Sequence, residues 1–220
     1  PLLNLYPQIG AETLVAAIAQ REGLPEDWVF AGNGSDEVLA FAFRAFCGEG
    51  KGVAYADITY GFYSVFTDLY GLETEVIPLR EDFSLDAEAF CGKDGLTVIT
   101  NPNAPTGRAL SLPEIEDLLQ HNADCVVIID EAYVDFGAES AISLIEKYEN
   151  LLVVRTFSKS RCLAGGRLGY AFASPEVIAD LEKIKYSTNP YNINRLTLLL
   201  GEATVEAEDY YKARCRNIME

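Results

Sequence analysis

Cys125-Val126-Val127-Ile128-Ile129-Asp130-Glu131-Ala132-Tyr133 is the stretch that decides the fold. It is a continuous apolar run that stops abruptly at an acid. Such a run is the mark of a strand covered on both faces, as in a parallel sheet between two layers of helices. Two further runs share the pattern, Thr97 to Thr100 and Leu151 to Val154. Shorter strands are expected at Val53 to Tyr55, Thr74 to Pro78 and Gly169 to Ala173. Helical periods separate them: Thr13 to Arg21 closed by Gly23, Asp36 to Phe46 ended at Gly48, and Tyr60 to Tyr70 stopped by Gly71. Ser111-Leu112-Pro113-Glu114 is a capping box with proline in the first turn, so a helix runs from it to about Gln120. More helix is expected around Ile142 to Tyr148, from Ser174 to Tyr186, and as one long element over Ile193 to Glu220. The alternation predicts an α/β fold, a mostly parallel sheet sandwiched by helices. No internal repeat or low-complexity tract interrupts it.

Composition agrees. The chain has 220 residues, of which 49% are hydrophobic and 23% charged, enough for a packed core. A net charge of −17 argues against a nucleic-acid partner and against docking on anionic membranes. No apolar run approaches the ~18 residues of a spanning helix. Five cysteines, odd in number and without a C-x-x-C, predict reduced thiols of a cytoplasmic protein rather than disulfides or a zinc knuckle. His121 is the only histidine, and it reads as a surface residue; no metal site is expected. The opening Pro1-Leu2-Leu3-Asn4 has no signal-peptide character and reads as an interior cut in a longer chain.

Parallel sheets place ligands at the carboxyl ends of their strands. Asp130 stands at one such end. An aspartate there is either a helix cap or a partly buried carboxylate in need of a partner. Arg155-Thr156-Phe157-Ser158-Lys159 leaves the next strand, where a lysine is ordinarily just solvated. Leu163-Ala164-Gly165-Gly166-Arg167 follows, an arginine in a glycine frame whose planar fork suits a phosphate. Gly32-Asn33-Gly34-Ser35-Asp36 opens a helix, and helix starts attract anions. It lacks the G-K-[ST] of a Walker A loop. Taken together, these residues describe one ligand. It carries a phosphate (Gly34, Ser35, Thr156, Ser158, Arg167), an amine-reactive carbonyl (Lys159) and a basic ring nitrogen (Asp130). Pyridoxal 5′-phosphate has all three.

The runs Asn101-Pro-Asn-Ala-Pro-Thr-Gly107, Asp130-Glu-Ala-Tyr133, Thr156-Phe-Ser-Lys159 and Leu163-Ala-Gly-Gly-Arg167 come in order. They resemble the large domain of fold-type I pyridoxal-phosphate aminotransferases. Asn4-Leu-Tyr-Pro7, Gly34-Ser-Asp-Glu37 and Thr59-Tyr-Gly-Phe-Tyr63 are most similar to the histidinol-phosphate branch of that family. The resemblance implies a lysine tether for the cofactor at Lys159, a ring-nitrogen partner at Asp130 and a ring-hydroxyl partner at Tyr133. It implies that Tyr60 stacks on the ring, that Gly34, Ser35 and Asp36 start the phosphate-binding helix, and that Thr156, Ser158 and Arg167 add side-chain contacts. Tyr6 then reaches the cofactor of a neighbouring subunit, which implies a homodimer. The implied reaction moves an amino group between an amino acid or phosphorylated amino substrate and a 2-oxo acid, 2-oxoglutarate.

Two departures stand out. The family usually has asparagine directly before Pro-Thr-Gly, where this chain has Ala104; Asn103, one residue earlier, is the candidate to replace it, or else a turn former. The family also carries a small C-terminal domain whose arginine grips the substrate carboxylate. Residues 1–192 therefore read as the cofactor-binding large domain and 193–220 as the start of the helix leading to a small domain. The same motifs serve a threonine-phosphate decarboxylase or an aromatic aminotransferase. Other readings are a fragment that binds cofactor without turnover, and an acidic binding domain with no cofactor.

Overall fold

At the centre of the molecule, the apolar runs pair side by side. A computed structural model describes residues 2–48 and 50–220; Pro1, part of the opening stretch read above, lies outside them. Seven strands form one sheet: β1 (Val29–Gly32), β2 (Gly52–Ala56), β3 (Thr74–Ile77), β4 (Gly95–Thr100), β5 (Val127–Asp130), β6 (Leu151–Thr156) and β7 (Gly169–Phe172). Their order is β1-β7-β6-β5-β4-β2-β3. β3, β2, β4, β5 and β6 are parallel, and β7 runs antiparallel to both of its neighbours. The mostly parallel α/β expectation holds.

Period-two alternation feeds two cores. Val127 and Ile129 of β5 and Leu151 and Val153 of β6 face one side, where they meet α1 (Glu12–Glu22), α4 (Leu112–His121) and α6 (Arg195–Glu206). Ile128, Leu152 and Val154 face the other, against α2 (Ser35–Phe46), α3 (Phe62–Tyr70) and α5 (Pro175–Thr188). Strands buried on both faces leave few polar positions before their ends, Thr97 of β4 being one, so polar side chains gather at the carboxyl rim.

Three expectations are corrected. β1 is a strand that the sequence pattern did not reveal: four residues between a 3-10 turn at Glu26–Trp28 and the glycine-rich helix start. Ile142 to Tyr148 is not an α-helix but a 3-10 turn, Ala141–Leu144, followed by turns. The Glu131 carboxylate, ten residues earlier in the same connection, accepts the Ala141 N–H at 2.6 Å and fixes that start. The long helix over Ile193 to Glu220 is two helices, α6 and α7 (Glu208–Met219), separated at Ala207. The break turns Glu208 toward Arg161, 2.6 Å away, and Arg21.

Candidate active site

The carboxyl ends of β4, β5 and β6 open into a cavity of about 240 Å³. Register alone sets Thr100 beside Asp130 and Asp130 beside Val154. Tyr133 stands in the loop leaving β5, while Ser158 and Lys159 stand in the loop leaving β6; all three reach the cavity wall. A second hollow, of about 320 Å³, lies at the opposite rim by Gly52 and Gly95. It gathers none of the strand-end groups.

Asp130 forms the floor. It is buried, and its Oδ2 accepts a 2.8 Å hydrogen bond from the Tyr63 hydroxyl, its Oδ1 a 3.1 Å bond from the Ala132 N–H. Burial pushes the carboxyl up to about 6; the two hydrogen bonds pull the other way, and Asp36 and Glu131 push up further. Burial, and then Asp130 itself, hold the Tyr63 phenol well above its usual range, so it keeps its proton and donates it. Tyr63 also lies 2.8 Å from Thr100 Oγ1, which lies 2.9 Å from Thr59 Oγ1. Sequence reading places Tyr63 only at the end of the Thr59-Tyr-Gly-Phe-Tyr63 run and gives it no role in the site.

The start of α2 forms the opposite wall. Gly34 has φ +81°, and a Cβ there would sit 2.5 Å from Arg167 Nη2, so only glycine lets the guanidinium lie over this turn. Gly169 permits a second close approach: a Cβ on it would be 2.3 Å from the Ser35 nitrogen. Arg167 Nη2 donates to Asp36 Oδ2 at 3.2 Å, and the Tyr60 hydroxyl donates to Asp36 Oδ1 at 2.7 Å. Burial first, then Asp36, raises the Tyr60 phenol above its usual range. Asp36 thus holds Arg167 and Tyr60 around a helix start whose first N–H groups lack intrahelical partners. Thr156 Oγ1 accepts the Ser158 N–H at 3.1 Å and shapes the turn out of β6. Lys159 Nζ lies exposed, 5.2 Å from the centre of the Tyr133 ring.

Two expected residues stand elsewhere. Asn103 is buried with its amide bridging its own loop to the loop after β2: it donates to Ile58 O at 2.9 Å and Thr106 Oγ1 at 3.1 Å, and accepts from Thr59 Oγ1 at 2.9 Å. These bonds use both of its amide hydrogens, and at this point Ala104 lines the cavity. Tyr6 is 76% exposed, stacked on Tyr191 at 4.5 Å and outside the cavity wall.

The donor set fits a phosphorylated pyridine aldehyde. A buried carboxylate without a cation suits a protonated ring nitrogen, a free lysine amine suits an aldehyde, and a helix start under an arginine suits a phosphate.

Comparison with known proteins decides the family. The family described as aminotransferase class I and II matches residues 1–212. This chain belongs to that family. The class I and II aminotransferases similar to it include the histidinol-phosphate aminotransferases of Acinetobacter baumannii, 50% identical over 217 residues, and of Clostridium acetobutylicum, 49% identical over 217. Each alignment covers 99% of this chain but only 60% and 62% of the relative, so the chain spans about three fifths of the length of these curated relatives. The crystal structure of the Clostridium acetobutylicum histidinol-phosphate aminotransferase superposes with a TM-score of 0.86 at 25% identity, covering 97% of this chain and 64% of that one. An L-threonine-O-3-phosphate decarboxylase from Porphyromonas gingivalis shares the fold at 24% identity, with a TM-score of 0.84 over 98% of this chain and 64% of that one. Nine of the residues expected from the sequence line one cavity; Gly34, next to its wall, Asn103 and Tyr6 do not.

Proposed function

We propose that the chain is the cofactor-binding large domain of a pyridoxal-phosphate-dependent aminotransferase. The proposed reaction transfers an amino group between histidinol phosphate, or a related amino alcohol phosphate, and 2-oxoglutarate. One observation carries this reading: Asp130 is buried at the floor of the cavity with only a phenol and a backbone N–H as partners, although the neighbouring acid is given an arginine. Half identity to two histidinol-phosphate aminotransferases supports the substrate class.

When bound, pyridoxal phosphate supplies an aldehyde that captures amines and a ring that draws electrons from a breaking Cα bond. Lys159 would tether the cofactor through its Nζ, and the same amine, once free, would be placed to move the Cα proton of a bound substrate. Asp130 would hold a proton on the ring nitrogen by offering it a negative charge. Tyr133 would hydrogen-bond the ring hydroxyl, and Tyr60 would stack on the ring. The Ser35 and Asp36 N–H groups, Thr156, Ser158 and Arg167 would hold the phosphate, with Gly34 keeping the turn open. The Asp36 carboxylate orients Arg167 and Tyr60.

The domain division is part of the proposal: 1–192 binds cofactor and 193–220 leads toward a small domain. So is a homodimer in the cytoplasm, in which the exposed Tyr6 serves the neighbouring subunit. No helix among the described residues is long and apolar enough to cross a membrane. A second reading rests on the three-fifths span: the chain holds cofactor but does not turn over alone.

Borohydride trapping followed by peptide mapping tests the tether; the label belongs on the peptide containing Lys159. Lys159→Ala is expected to lower turnover by about 10²- to 10⁴-fold or more. A label elsewhere, or full activity in that variant, overturns the reading. Release of carbon dioxide in place of 2-oxoglutarate-dependent transfer identifies a decarboxylase instead.

A further inference from the structure

The lone histidine does not stand alone in space. Asp117 and His121 are one turn apart on the last turns of α4, and His121 Nδ1 lies 3.3 Å from Asp117 Oδ1. Cys91 comes from the turn that follows the 3-10 segment Ala87–Phe90, far from them in sequence. One donor atom from each of the three lies within 4.8 Å of the others. We propose that Cys91, Asp117 and His121 bind a borderline divalent transition-metal ion of the zinc and cobalt class, at the amino-terminal rim of the sheet.

Backbone and buried side chains hold the juxtaposition in place. Asn122, directly after His121, is buried and clamps both sides of Cys91: it donates to Phe90 O at 2.9 Å and accepts from the Lys93 N–H at 2.8 Å. The Gly92 N–H donates to His121 O at 3.2 Å. Phe90 is fully buried and anchors the turn in the core. Rotation of the exposed Asp117 and His121 is then needed, and a metal has to displace the contacts of His121 Nδ1 with Asp117 O at 2.9 Å and of the Cys91 thiol with Ala87 O at 3.6 Å. Ligands of a tetrahedral zinc ion stand about 3.3–3.6 Å apart, so the donors have to close by roughly 1 Å.

The electrostatics favour a cation. The carboxyl end of α4 carries the negative end of the helix dipole. The nearest ammonium, Lys93, is committed to Glu75 at 2.6 Å. Thiolate, imidazole and carboxylate together select zinc-like ions over magnesium or calcium, which prefer oxygen alone. Binding exchanges the Cys91 thiol proton for the metal and releases that proton to water. Three protein ligands leave a position for water, as in open zinc sites.

The experiment is a cobalt(II) titration of the full chain with its thiols reduced. One equivalent should bind with a thiolate-to-cobalt charge-transfer band in the near ultraviolet, and zinc should bleach it. Cys91→Ser should abolish the band, whereas Cys47→Ser should leave it intact. Asp117→Asn and His121→Gln, both exposed positions that leave the core untouched, should each weaken binding by about tenfold or more. Absence of the band in the parent chain, its survival in Cys91→Ser, or an unchanged affinity in His121→Gln overturns the proposal.

Discussion

Asp130 and Glu131 are consecutive acids on the same strand exit, and both are almost wholly buried. Glu131 points into the protein and is fully provided for. Arg155 Nε lies 2.9 Å from it, and the Ser140 hydroxyl and Ala141 N–H donate to it at 2.8 and 2.6 Å. Arg155 in turn reaches Glu22 at 3.3 Å, and Glu22 pairs with Arg21 at 2.6 Å. Asp130, one residue earlier and on the opposite face, has a phenol, a backbone N–H and no cation. Burial raises both carboxyls, and the arginine offsets that only for Glu131. Burying a charge is tolerable when its counter-charge is built in. A buried acid left without one keeps a place for a cation that arrives with a ligand. The contrast separates a charge that holds the fold from a charge that the fold holds in reserve.

Removing the built-in cation is the harshest way to test this. Arg155→Met strands Glu131 in the core, and breaking a buried pair from one side costs about 3–5 kcal/mol. Thermal denaturation should detect the loss without any cofactor present. If Arg155→Met melts like the parent, Glu131 is no more dependent on a cation than Asp130, and the comparison fails.

The second test should move stability the other way. A carboxyl raised to about 6 in the folded state, against about 3.9 when unfolded, binds its proton more tightly in the fold. The fold therefore loses stability as pH rises between those values and carries the whole penalty, roughly 3 kcal/mol, above the upper one. Asp130→Asn removes that penalty and can still accept from Tyr63. Without cofactor, the variant should be more stable than the parent at pH 7.5 and no more stable at pH 4. With cofactor it should lose activity. A variant that is less stable at pH 7.5 would mean that Asp130 also has a structural counter-charge.

How much of this contrast was legible beforehand follows from what each residue's partners are. The apolar runs of β4, β5 and β6 announced their strands, and the position of Asp130 just after one announced a candidate site. Ligand chemistry could be read from Lys159, Arg167 and Gly34, because a lysine, an arginine and a left-handed glycine each advertise a local capability. Partners from remote segments were not legible. Nothing near Glu131 in sequence marks Arg155 or Ser140 as its complement, and Tyr63 has the spacing of an ordinary core helix residue. The same reason hid β1, whose only pairing is with β7, more than a hundred residues later. It also hid the turn at Ala141–Leu144, where a capture by Glu131 overrode a helical pattern. Asn103 shows the same limit: it has a suitable residue type beside the motif, yet its amide partners, Ile58 and Thr106, come from two different loops.

The mildest test probes how finely the reserve charge is held. Tyr63→Phe removes one hydrogen bond to a charged group, an interaction worth about 1.5–3 kcal/mol, together with the contact to Thr100, and leaves the ring packing against Phe43 and Tyr55 largely in place. That hydrogen bond lowers the Asp130 pKa. Without it the carboxyl should hold its proton to higher pH. The stability difference between Asp130→Asn and its parent, followed against pH, should then have a higher midpoint in the Tyr63→Phe background. A core tyrosine with a purely packing role would lower the melting temperature of both proteins equally and leave the midpoint where it was. A midpoint shift without loss of fold would assign Tyr63 the task of keeping Asp130 ionised and ready for a cationic ligand. Its hydroxyl would then belong to the site, although its ring belongs to the core.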